Sequence, residues 1–116
     1  MPRLIERPTP IPVPGGKRVE EYVGVVNSQT ESTSVAVMHS PVGWSEPGQK
    51  PEFDEYTIVL SGTVHVEFDG GAIDVGAGQA VVASKGEWVR YSTPQGANYV
   101  AVCVPAFTLA TAHRDE

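Results

Sequence analysis

From Val19 to Val104 the chain alternates short runs of β-branched and aromatic residues with clusters of Gly, Pro, Asn and Asp. This pattern predicts strands, because successive side chains of an extended segment point to opposite faces, one dry and one wet. Tyr22–Val26 predicts a short strand stopped by Asn27-Ser28, and Ser34–His39 a second, with Val35 and Val37 on one face and Ala36 and Met38 on the other. Residues 41–51 read as a Gly- and Pro-rich loop. Tyr56–Leu60 and Thr63–Phe68 flank Ser61-Gly62, which predicts a hairpin closed by a two-residue turn. In its second half Val64, Val66 and Phe68 alternate with Thr63, His65 and Glu67. Asp69-Gly70-Gly71 turns the chain again, and Ala72–Val75, Gln79–Ala83, Trp88–Ser92 and Tyr99–Val104 supply four further strands. About eight short strands at regular spacing, with no helical periodicity, define an all-β sandwich, jelly roll or small barrel.

Composition narrows this picture. The 116 residues include 12 Gly and 10 Pro, which leave few stretches long enough for a helix, while 41% hydrophobic residues suffice for one core. Pro2, Pro8, Pro10, Pro12, Pro14 and Gly15-Gly16 make residues 1–18 an extended arm; residues 19–107 form the globular part, and 108–116 a solvated tail. The net charge of −6, with no window rich in Lys and Arg, argues against nucleic acid and anionic membranes as partners. A lone cysteine, Cys103, excludes a disulfide framework within the chain and reads as a buried small hydrophobe. With no apolar run of membrane-spanning length, the expectation is a cytoplasmic protein.

Two stretches carry a family resemblance. Gly43, Gln49, Pro51, Glu55 and Gly62 follow the spacing G-x5-H-x-H-x3-E-x6-G, and Gly78, Ser84, Gly86, Val89 and Thr93 follow G-x5-P-x-G-x2-H-x3-N. These are the two motifs of the cupins, which the chain resembles over residues 19–107, with fifteen residues between the motifs. The likeness is to the small single-domain bacterial and archaeal members that lack the histidines. The acidic-aromatic stretch around Glu55 is also similar to the ethanolamine-utilisation type. The resemblance implies a single cupin-type jelly-roll barrel and, because small cupins commonly pair, a homodimer.

The same resemblance places Gln49, Pro51, Glu55 and Val89 where metal-dependent members carry two histidines, a glutamate and a third histidine. Proline and valine offer no donor, so the resemblance's usual metal site is disfavoured and no particular cofactor is indicated; a divalent ion would need improvised ligands, Glu55 with Gln49 or with His39. The resemblance implies that Glu55 points into the barrel with Thr57 and Val59 on the same face, and Tyr91, sharing parity with Val89, is expected to look inward as well. His39, sharing parity with Val35 and Val37, is expected to face inward near the mouth. Lys50 is a candidate to reach Glu55 from the loop, Trp44 to form an apolar wall, and Trp88 to pack outside. A desolvated glutamate beside a tyrosine suits either ligand anchoring or acid/base work. Three functions follow. The first is a binder of a small polar or sugar-like metabolite through Gln49, Glu55, Tyr91, Trp44 and His39. The second is an isomerase or lyase using Glu55, with Tyr91 as its catalytic partner. The third is a structural or regulatory dimer whose barrel is filled by Val64, Val66, Phe68 and Val89.

Overall fold

The computed structural model describes residues 1–116. The strands are β1 (Thr9–Ile11), β2 (Arg18–Val23), β3 (Ser34–Ser40), β4 (Trp44–Ser45), β5 (Asp54–Phe68), β6 (Gly71–Gly76), β7 (Ala80–Ala83), β8 (Val89–Thr93) and β9 (Ala97–Val104), followed by a one-turn helix α1 (Leu109–Ala112). All pairings are antiparallel, in the order β1-β2-β3-β9-β5-β8-β4, with β6 and β7 also pairing β5. No helix is long and apolar enough to cross a membrane.

β5 organises the molecule. Its first half pairs with β9 and β7, its second with β6 and β8, so one strand belongs to both layers. The expected hairpin at Ser61-Gly62 is therefore not formed. Ser61-Gly62 lies inside a continuous 15-residue strand, beside a register shift between Val59 and Ser61. A bulge inserts one residue on one side of a ladder, bends the strand and inverts the side-chain alternation. Before it the buried positions are Thr57 and Val59; after it they are Val64 and Val66. That inversion, with a glycine at its centre, reads locally like a turn. Phe68, expected to fill the barrel, is 39% exposed at the strand end.

The core lies between the layers. Val59, Ala97 and Tyr99 from one meet Trp44, Val64, Val66, Val75, Val89 and Tyr91 from the other. Three further expectations are revised. The strand placed at Tyr22–Val26 instead runs Arg18–Val23. Its end is set by the buried Glu21, whose Oε2 accepts from Val26 N (3.1 Å) and Asn27 N (2.7 Å) and folds the chain into a turn that leaves Val25 and Val26 exposed. Thr9–Ile11, amid the prolines, pairs with β2 at the sheet edge, where a missing N–H is tolerated. The tail after Pro105 is not a solvated end. Ala112 is fully buried with Phe53, Cys103 and Phe107, and Glu52 N, Lys50 N and Asp115 N bond Thr111 O (2.9 Å), His113 O (3.2 Å) and Gly48 O (2.8 Å). The tail, α1 included, is thus tied by backbone bonds along the loop that precedes β5.

Candidate functional site inside the barrel

Glu55 enters the barrel from the start of β5, on the face it shares with Thr57 and Val59. Gln49 is held beside it by a two-bond backbone bridge to Val89 (2.8 and 2.9 Å), and its Nε2 donates to Glu55 Oε1 at 3.2 Å. Tyr91, two residues along β8 from Val89, is 4% exposed and its Oη lies beside the Glu55 carboxyl. Glu55, Tyr91 and Gln49 are thus brought together. Trp44 joins the same core, 5% exposed.

His39 is not among them. The inner positions of β3 are Ser34, Ala36, Met38 and Ser40, while Val35, Val37 and His39 face outward. His39 bonds Asn98 Oδ1 (2.7 Å) and Glu20 Oε1 (2.8 Å) across neighbouring strands, away from the barrel interior. Parity assigned two faces correctly; the valines on the outer face misled the choice between them. Lys50 also lies elsewhere, lining an open surface hollow of about 590 Å³ with Glu52, Lys85 and His113. Trp88 packs outside as expected, against Gly48, with Nε1 donating to Asp115 Oδ2 at 2.9 Å, so it pins the tail.

The structure supplies charges that sequence reading missed. Lys17, just after the Gly15-Gly16 turn, sends its ammonium to 4.2 Å from the Trp44 ring centroid and 5.5 Å from that of Tyr99. It also lies 4.0 Å from Glu46 Oε2, and its side chain is only 9% exposed. Arg114 reaches the same Glu46 oxygen from the tail, at 3.4 Å, and its backbone bridges Gln49. Nothing local marks these residues: they stand at positions 17, 46 and 114 and meet only because both termini fold over one end of the barrel.

Their electrostatics follow from burial. The Glu55 carboxyl is raised from its ordinary range to about 7: desolvation is the main cause and Glu46 adds to it, while Lys17, Arg114 and the Tyr91 hydroxyl pull it back. Desolvation pushes the Lys17 ammonium down, against the opposing pull of Glu46 and Glu55. The Tyr91 phenol is driven up by the same burial and by the neighbouring carboxylates, so it stays a protonated donor. Three buried polar atoms have no hydrogen-bond partner: Gln49 Oε1, Tyr91 Oη and Arg114 Nε. Cys103 is buried, and desolvation raises its thiol, which keeps it unreactive.

A two-layered antiparallel barrel of this kind is a jelly-roll barrel, here with a buried polar, mixed-charge cluster at one end. The chain belongs to the cupin family: the model of the cupin domain matches residues 36–105. Among solved structures it is similar to the ethanolamine utilization protein Q of Salmonella typhimurium (22% identity, 78% of this chain and 71% of that one, TM-score 0.63). It is similar also to KdgF from a Halomonas species (16%, 85% and 89%, 0.73) and to Bacillus subtilis oxalate decarboxylase (17%, 95% and 30%, 0.77). A curated relative from Myxococcus xanthus, the endoribonuclease YbeY, is 45% identical over 107 residues, which are 90% of this chain; the chain spans about a third (36%) of that protein.

The metal that the family resemblance brings to mind does not fit these residues. Of the four corresponding positions only Glu55 is a good donor, and it already accepts from Gln49. Pro51 and Val89 have no donor atoms, two cations occupy the same end of the barrel, and no group of three His, Cys, Asp or Glu side chains converges.

Proposed function

We propose that this cupin domain binds a small polar or sugar-like metabolite at the Glu55 end of the barrel, without a metal. The observation that carries this reading is the trio of unpartnered buried atoms, Gln49 Oε1, Tyr91 Oη and Arg114 Nε, gathered around Glu55. Each such atom costs about 1–3 kcal/mol when left unmade, a penalty that a merely filled barrel would have no reason to carry. Trp44 and Tyr99 add flat apolar walls. RNA cleavage, named for a much longer relative, is not part of this reading, because the chain carries a charge of −6 and no basic stripe. The test is a thermal-shift panel of sugars, small acids and amines. A compound that raises Tm in the native chain and loses that effect in both Tyr91→Phe and Gln49→Ala is the expected result; silence across all three classes would sink the proposal.

A second reading rests on Glu55, whose raised carboxyl beside a phenol is poised for proton transfer near neutral pH. An isomerase or lyase of this kind would exchange a carbon-bound hydrogen of its ligand with deuterated water. Glu55→Gln would abolish that exchange and leave binding in place.

The domain is further expected to pair with a second copy through the outer face of the larger layer. Two unbroken apolar rows cross four strands there, Val35-Val102-Tyr56-Val82 and Val37-Val100-Ile58-Ala80. Ile58 is 44% and Val82 61% exposed. A flat face of this kind with no charge in either row suits a copy of itself, and it forms the apolar centre of an interface of about 800 Å² per partner. Sedimentation should give a dimer that Ile58→Glu converts to a folded monomer; a monomeric native chain would refute it.

A further inference from the structure

We propose that the ligand of this barrel carries a carboxylate, taken between Lys17 and Arg114, with a hydroxyl on the side of Gln49 and Tyr91. This rests on the barrel being a binding site, and it names the chemical class that the site selects.

Positive donors at this end of the barrel outnumber the acceptors within hydrogen-bond reach. Lys17 offers three N–H groups, and its ion-pair partner, Glu46 Oε2, stands at 4.0 Å, beyond hydrogen-bond length. Arg114 spends one nitrogen on the same oxygen at 3.4 Å and leaves Nε buried without a partner. Two cations therefore share one carboxylate oxygen at long range, in a chain whose overall charge is −6. Trp44 and Tyr99 ease the Lys17 charge through their ring faces but accept no conventional hydrogen bond there.

Neutral and cationic ligands fit this arrangement less well. Glu55 is a second carboxylate near both cations but forms an ion pair with neither. A neutral polyol would therefore still leave Arg114 Nε and the Lys17 donors without an anionic acceptor, and a cation would be repelled by both. A carboxylate supplies two anionic oxygens, enough for the free donors of Lys17 and for Arg114 Nε. On the other side of the cluster the free groups change character. Gln49 Oε1 accepts only, while Tyr91 Oη donates or accepts, and a hydroxyl satisfies both. A small hydroxy acid combines the two demands.

The termini give this selectivity its location. Lys17 follows the Gly15-Gly16 turn, and Arg114 sits on the tail held by the Asp115 N to Gly48 O bond (2.8 Å) and the Trp88–Asp115 bond (2.9 Å). The barrel walls thus present Gln49, Glu55 and Tyr91, and the two chain ends bring the cations.

Calorimetric titration of the full chain with matched pairs tests this: lactate, glycerate and gluconate, each against its neutral polyol. The acids should bind and the polyols should not. Lys17→Met, which keeps the length of the side chain and removes its charge, and Arg114→Gln should each weaken acid binding tenfold or more, with circular dichroism unchanged. A polyol that binds as tightly as its acid overturns the inference, as does a variant that keeps acid affinity within about twofold. If polyols alone bind, and lose binding in Tyr91→Phe, the carboxylate assignment falls while the barrel remains a binding site. If none of the acids and none of the neutral compounds binds, both readings fall.

Discussion

Gly62→Ala should remove much of the stability of this domain. Gly62 has φ +77°, a left-handed conformation that costs a side-chain-bearing residue about 1–2 kcal/mol. A Cβ there would stand 2.2 Å from the Gly96 carbonyl oxygen and 2.9 Å from Ala97 Cα. Both are backbone atoms, and the Gly96 turn is itself closed by a 3.0 Å bond from Gly96 N to Thr93 O, so neither can swing aside like a flexible side chain. Overpacking of this kind adds about 1–3 kcal/mol, for a combined loss of about 2–5 kcal/mol. Against the 5–15 kcal/mol typical of a domain, this lowers Tm by roughly 10–20 °C. Gly78→Ala is the control. Its φ is +80°, but no atom lies within 4 Å of the added Cβ, so only the conformational cost of about 1–2 kcal/mol applies. Equal losses in the two variants, measured by urea denaturation, would show that the β5 bend does not depend on close contact with the Gly96 turn.

Glu55→Gln should stabilise the protein above neutral pH and flatten its pH dependence. The carboxyl titrates near 7 when folded and near 4.5 when unfolded, so between those values the folded state holds the extra proton. The favourable contribution is complete below about pH 4.5 and is lost as pH rises through about 7. A displacement of this size corresponds to something on the order of 3 kcal/mol. Glutamine keeps a neutral side chain that still reaches Gln49, and it forgoes the penalty at high pH. The gain is reduced because Lys17 and Arg114 lose one of their two neighbouring carboxylates. Lys17 is shifted in the opposite sense by its own burial, so the pH series belongs in a Lys17→Met background as well. Parallel stability curves for native and Glu55→Gln chains between about pH 5 and 8 would show that Glu55 is not desolvated in the folded state.

Much of the fold was legible because it depends on near neighbours. Strands β6 to β9 fall close to where alternation put them, and Glu55 and Tyr91 point inward as parity and motif spacing required. Errors arose where two local readings were equally good. Ser61-Gly62 between β-branched runs describes a hairpin turn or a bulged bend, and only the partners of β5, different on its two halves, decide between them. In β3 both faces carry apolar residues, so alternation could not say which was inner. The interior took Ser34, Ala36, Met38 and Ser40 and left His39 outside with the valines.

By itself the sequence determined the all-β class, most strand positions, the four motif glycines at the bends, and a glutamate where histidine-bearing relatives hold a metal. These are set by backbone sterics and by a period of two residues, both of which act within a few positions along the chain. The tertiary structure alone decided the chemistry around that glutamate. Lys17, Glu46 and Arg114 are far apart in sequence, and they meet because the Gly15-Gly16 turn and the tail behind Ala112 pack over the same end of the barrel. Charge clustering and desolvation depend on distance in space, on which a strand's local pattern carries no information.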